Sequence, residues 1–213
     1  MGRRPGSRNA DYAEERERIL GRLAREVGLA GRGHLSFREL AQVAGVTPST
    51  LRHYLGRRGD VLSATLARLR QGGAPFVAAA ATEDHGSAAE SLAWLVAFLR
   101  RGWDFGVGKA HAFGIAEGLG EPALGRSYLR DVLEPTLQAA EARIARHVAR
   151  GELGPCDFRH AALELLAPVV LALLHQQLLC GAEVRPLDLD RFVEDHLSRF
   201  LRAHAPARPR RRP

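Results

Sequence analysis

Residues 35–54 read LSFRELAQVAGVTPSTLRHY. Two helices of about eight residues joined by a glycine turn form a helix-turn-helix pattern. Ser36 and Glu39 have capping-box spacing and start the first helix. Leu40, Ala41 and Ala44 give it a short buried face, and Ala41 is small enough to let the second helix approach. Gly45 permits the sharp turn and Val46 plugs the core between the helices. Thr47 can cap the second helix, and Pro48 sits where a missing N–H costs nothing. Leu51 and Tyr54 anchor that helix inward. Ser49, Thr50, Arg52 and His53 then project outward, where a recognition helix meets base edges.

Outward from this stretch the whole 213-residue chain reads as helix, rich in Ala, Leu, Arg and Glu, with no strand-like alternation. A first helix is expected from about Asp11, with Glu14 as capping-box partner and Ile19, Leu20, Leu23, Ala24 and Val27 on one face. Gly28, Gly31 and Gly33 end it. A fourth helix is expected from Asp60 through Leu69, with Gln71, Gly72, Gly73 and Pro75 marking a domain boundary. Longer helices follow: Ser87–Arg101, a less regular piece over Trp103–Leu119, Glu121 to Arg150 with a kink at Pro135, an apolar helix from Asp157 to Cys180, and a last one from Asp188. The expected layout is a basic disordered arm (1–9), a helix-turn-helix domain (10–72), a helical effector-binding and dimerisation domain (73–205) and a basic tail (206–213).

The net charge of +7 is unevenly placed. Residues 1–72 hold 14 Arg against seven Asp and Glu, whereas residues 73–205 are mildly acidic. An arginine-favouring genome explains 30 Arg beside one Lys but not this asymmetry, which points to a polyanion partner for the N-terminal part.

Several function classes are excluded. Two cysteines, Cys156 and Cys180, make neither a disulfide framework nor a thiolate zinc cluster. The longest nearly apolar stretch, Leu165–Leu174, reads as too short and too polar to span a bilayer, and no secretory signal is visible, so a soluble cytoplasmic protein is expected. The run GWDFGVGKA (102–110) fails as a phosphate loop: its spacing is one residue too long, and Ala110 replaces the magnesium-binding hydroxyl. Neither HExxH nor ExxH occurs, Glu194 and His196 do not share a helix face, and nothing activates a Cys–His nucleophile. No enzyme activity, cofactor or metal is expected.

Ile19 to Leu66 resembles the DNA-binding domain of the TetR family of transcriptional regulators, through SFRELAQVAGVTPSTLRHYLGRRGDVL and the placement of Thr50, Leu51, His53, Tyr54 and Arg58. RGELGP (150–155) followed by two apolar helices also resembles that family's last two helices. Arg52, Leu55 and Gly59 depart from the usual aromatic, Phe and acid. The resemblance implies an all-α fold, an N-terminal three-helix helix-turn-helix domain followed by a helical ligand-binding and dimerisation domain. It implies that Arg38 and Arg52 read guanines, that Pro48 and Ser49 touch thymine methyls, and that Thr47, Thr50, His53, Tyr54 and Arg58 hold phosphates. For Tyr54 the residues favour a core anchor with its hydroxyl at the backbone over the phosphate role. The arm with Arg3, Arg4 and Arg8 is either a minor-groove element or a frayed terminus.

The same resemblance implies a homodimer on a palindromic double-stranded DNA operator, released by a small-molecule effector. Candidate dimer residues are Leu166, Val170, Leu173, Leu174, Leu178, Phe192, Leu197, Phe200 and Leu201, each of which an intramolecular core also claims. Candidate effector-pocket residues are Trp94, Phe98, Trp103, Phe105, His111, Phe113, Tyr128, His175 and Gln176, with packing as the competing role. The alternative function is a helical small-molecule binding or scaffold protein whose helix-turn-helix contacts protein.

Overall fold

The computed structural model describes residues 7–30, 34–83 and 86–207; the tail from 208 and the arm residues Arg3 and Arg4 lie outside them. The described residues form helices and no strand. The helices are α1 (Ser7–Ala30), α2 (Phe37–Ala44), α3 (Pro48–Leu55), α4 (Arg58–Thr82), α5 (Ala88–Gly102), α6 (Gly108–Gly120), α7 (Pro122–Tyr128), α8 (Glu134–Ala149), α9 (Phe158–Leu173), α10 (Gly181–Val184) and α11 (Leu189–Ala203).

Local signals set many of these ends. Both cap and partner bonds are present in the Ser36–Glu39 and Ser87–Glu90 boxes. Asp157 and Asp188 cap α9 and α11 with their carboxylates. Three expectations are corrected. First, α1 starts at Ser7, so Asp11 lies inside the helix and not at its cap. Second, α4 does not stop near Leu69 but runs through Gly72, Gly73 and Pro75 to Thr82. The four alanines from Ala78 to Ala81, the best helix formers, carry it past the breakers. Third, Leu129–Leu133 forms a π-type turn just before α8. Pro135, in the first turn of α8, cannot donate to the carbonyl four residues back, and the widened turn absorbs that lost bond.

The chain packs as two compact units, one of Met1–Gly73 with Lys109–Leu133, the other of Ala74–Gly108 with Glu134–Pro213. The first has a core of Ile19, Leu20, Leu23, Leu40, Ala41, Leu51, Leu62 and Leu66, joined by Phe113, Leu124 and Tyr128 from α6 and α7. A Cβ on Gly118 would lie 2.9 Å from the Gly125 Cα, so α6 and α7 meet backbone to backbone.

In the second unit α8 packs on α9, and α11 on both α9 and α5. The helical segment Phe158–Leu178 spans 21 residues at a mean hydropathy of 1.5, which is long and apolar enough to cross a bilayer by length and composition. Phe158, Ala161, Ala162 and Leu163 extend the apolar run upstream of Leu165–Leu174, and a helix in a protein core meets the same measure of length and composition. Leu165, Leu166, Val169 and Leu173 of this segment are buried inside the unit.

Arg143, on α8, is 0% exposed. Its Nε donates to the Ala80 carbonyl (2.9 Å), its Nη1 to Ser91 Oγ (2.7 Å), and its guanidinium lies 4.8 Å from the Trp94 ring centroid. Arg146 donates to the Ala81 carbonyl. Both carbonyls belong to the last turn of α4, which has no helical donors of its own and carries partial negative charge. Arg143→Met should therefore destabilise the protein by about 3–5 kcal/mol, because the carbonyls lose a buried charged donor; urea unfolding of the variant checks this.

Candidate nucleic-acid interface

The two eight-residue helices α2 and α3 meet at Gly45, whose φ of +68° is left-handed. The Val46 N–H donates to Ala41 O and the Gly45 N–H to Gln42 O, closing the C-terminus of α2. Thr47 then starts α3. Its Oγ1 accepts from the Thr50 N–H and lies 2.8 Å from both the Ser49 and Thr50 hydroxyls. Leu51 and Leu55 turn into the core, and Tyr54 is half-buried against it.

This burial pattern leaves one face of α3 in solvent. Pro48, Ser49, Arg52 and His53 are exposed, as are Thr47 at the cap and Arg38 on α2; Thr50 is half-buried. The Arg52 guanidinium lies 5.2 Å from the Phe37 ring centroid, a cation–π contact that limits where this long side chain can swing. Phe37, which was not singled out from sequence, is thus the side chain against which Arg52 rests.

Arg58 has a different partner from the one expected. Its Nε donates to Leu35 O (2.7 Å), and its Nη2 lies 2.7 Å from Glu117 Oε1 and 3.1 Å from His34 Nδ1. The Glu117 carboxylate is 3% exposed. The phosphate role expected of Arg58 competes with these bonds, in which its Nε and Nη2 tie the segment before α2 and the start of α4 to α6. Arg57, one residue earlier, is exposed. No signal near Arg58 could have named Glu117, which stands 59 residues further along the chain.

The expected effector-pocket residues are distributed over both units. His111, Phe113 and Tyr128 belong to the first unit; Trp94, Phe98, Trp103, Phe105, His175 and Gln176 belong to the second. Phe113 and Tyr128 are core residues, and His111 Nδ1 lies 2.8 Å from the Tyr128 hydroxyl. Trp94 stacks on Phe98 at 4.8 Å. Phe105 is 89% exposed, beside Gly106 in a left-handed kink, and lines no interior. Gln176 binds Arg185 O and the Leu187 N–H, pinning the loop that follows α10.

Among the dimer candidates, Leu166, Leu173 and Phe200 are buried in the unit's own core, which corrects their assignment: a covered side chain has no surface to offer. Val170, Leu174, Leu178, Phe192, Leu197 and Leu201 are half-buried. Leu163, Leu171 and Leu179, not singled out before, are exposed in the same part of the chain.

Two outcomes follow from the buried polar pairs. Glu117→Gln should cost about 2–4 kcal/mol of stability, because Arg58 loses its charge partner in a largely buried site. A double-mutant cycle with Arg58→Met should show strong non-additivity in denaturant unfolding. Burial also pushes His111 down to about 4 and Tyr128 up to about 12. The unfolded chain, with an ordinary histidine near 6.5, binds more protons than the folded one from that pH down to about 4. Stability is therefore full above pH about 6.5 and falls as pH drops towards 4, by up to about 3 kcal/mol from this group. His111→Gln should flatten that slope in pH-dependent unfolding.

No curated protein matches the sequence. Among solved structures, the chain is similar to a TetR-family transcriptional regulator from Mesorhizobium loti, with a TM-score of 0.67 at 17% identity over 91% of this chain and 98% of that one. A TetR-family regulator from Rhodococcus sp. superposes with a TM-score of 0.65 at 22% identity, covering 90% and 98%. The fatty acid degradation regulator FadR from Bacillus halodurans gives 0.58 at 16% identity, covering 94% and 97%. These likenesses speak to the fold. The family model for the AefR-like transcriptional repressor C-terminal domain, a TetR C-terminal domain, matches residues 92–206. That match spans more than half of a chain whose N-terminal unit holds a helix-turn-helix with a solvent-facing second helix, and the chain belongs to the TetR family of transcriptional regulators.

Proposed function

We propose that this DNA-binding regulator acts as a homodimer on a palindromic operator and represses by occluding a promoter until a small-molecule effector releases it. The observation that carries the DNA-reading part is the outward face of α3, with Ser49, Arg52 and His53 exposed while Leu51 and Leu55 hold the helix to the core. Arg52 is assigned bidentate contact with a guanine, Arg38 a second base contact, and Pro48 and Ser49 thymine methyls. Thr47, Thr50 and His53 are assigned to phosphates. Tyr54 is assigned its anchoring role, since it is half-buried against the core.

A dimer would set two copies of α3 about one DNA turn apart, roughly 34–36 Å. An effector need only bind better to a conformation in which that spacing is wrong; differential affinity supplies the coupling. The exposed leucines Leu163, Leu171 and Leu179, with the half-buried Val170, Leu174 and Leu178, are the surface proposed to meet the partner. TetR-family regulators are generally non-enzymatic, soluble and cytoplasmic, and the same is proposed for this chain.

Arg52→Ala should weaken binding to a selected operator by about 1–3 kcal/mol and relax preference at one base pair per half-site. Fluorescence anisotropy against operator and scrambled duplexes measures both. An equal loss on every sequence would make Arg52 a phosphate contact. Wild-type affinity should fall steeply with salt, as counterions are released from neutralised phosphates; a module that contacts only protein would bind no duplex.

A further inference from the structure

We propose that Tyr12, on α1, is a positioning residue for DNA recognition that holds the C-terminal turn of α3 in its reading pose. The inference rests on α3 being the recognition helix and adds a residue outside the helix-turn-helix motif.

The last carbonyls of a helix have no intrahelical donor. In α3 the Arg52 carbonyl accepts from the Gly56 N–H, and the chain then turns away at Gly56 with φ +83° and ψ −142°. The next two carbonyls, His53 O and Tyr54 O, therefore need donors from elsewhere. The Tyr12 hydroxyl lies 3.3 Å from each, a position from which its one proton is shared between them. Its ring stacks on Tyr54 with centroids 4.8 Å apart and 30° between planes, and meets His53 edge-on at 5.7 Å. His53 and Tyr54 are themselves edge to face at 4.9 Å. Tyr12 thus touches both the backbone and the side chains of the last turn of α3.

An eight-residue helix is too short to hold its own shape in water, so its pose depends on what grips its ends. At the N-terminus the grip is the hydroxyl set of Thr47, Ser49 and Thr50. At the C-terminus Tyr12 adds a polar grip on the carbonyls to the apolar one that buried Leu55 makes. Arg52 and His53, two of the outward residues, lie next to this second grip. Tyr12 itself is 38% exposed and outside the buried core, so its loss changes the pose of the turn more than the stability of the unit.

The test uses the full-length protein with Tyr12→Phe, which keeps the ring and deletes the hydroxyl, and with Tyr12→Ala. Affinities for a selected operator duplex and for a random duplex are measured across a salt series, together with urea unfolding. Tyr12→Phe should weaken operator binding by about three- to tenfold. Random-duplex affinity, salt slope and unfolding midpoint should stay as in the wild type, and Tyr12→Ala should lose more. Unchanged operator affinity in Tyr12→Phe would overturn the proposal. So would an equal loss on both duplexes with a shallower salt slope, which marks a direct phosphate contact, or a loss matched by a lowered unfolding midpoint. A wild-type chain that binds no duplex would overturn the recognition-helix reading itself, and this proposal with it.

Discussion

The left-handed corner at Gly45 is the constraint on which the interface depends. Neither α2 nor α3 is long enough to persist alone, and each is fixed by what it leans on. The corner sends the chain back so that Leu40, Ala41 and Leu51 share one core with Ile19 and Leu23 of α1. Once Leu51 and Leu55 face inward, the helical period leaves Ser49, Arg52 and His53 no option but solvent. The residues proposed to read the groove are thus exposed as a consequence of core packing a few residues away.

Arginine has two roles in this chain. Some guanidiniums face outward, but others are internal fasteners. Arg58 joins Leu35 to Glu117, Arg143 and Arg146 cap the end of α4, and Arg22 reaches the carbonyl of Ala44 under the corner. Arg18 and Arg68 pair with Glu15 and Glu17. The positive excess of the N-terminal third therefore overstates the charge free to neutralise phosphates. Arg38, Arg52 and Arg57 are the exposed arginines nearest α3 in sequence.

What the sequence made legible was local. Caps at Ser36, Thr47, Ser87, Asp157 and Asp188 declare themselves within four residues, and the Gly45 turn within ten, so the helix-turn-helix and most helix starts could be read directly. What stayed hidden was decided at a distance. Glu117 claims Arg58 across 59 positions, and residues 109–133 pack with the N-terminal helices although a sequence boundary at Gly72–Gly73 gives no hint of it. α4 overran its breakers because alanines further on outweighed them. Apolar periodicity marked Leu166, Leu173 and Phe200 correctly as facing something, but it has no way to say whether that something is the same chain or a second copy. The residues expected to line a pocket were grouped through the family resemblance of the middle helices, and sequence alone does not tell that they are distributed over both units of the fold.

The most direct test of the account is selection of bound sequences from random duplex DNA by the purified full-length protein. The account predicts enrichment of an inverted repeat whose half-sites are centred about one helical turn, roughly 10 base pairs, apart or a multiple of that. Enrichment of a single unrepeated site, or of nothing over the starting pool, would contradict it.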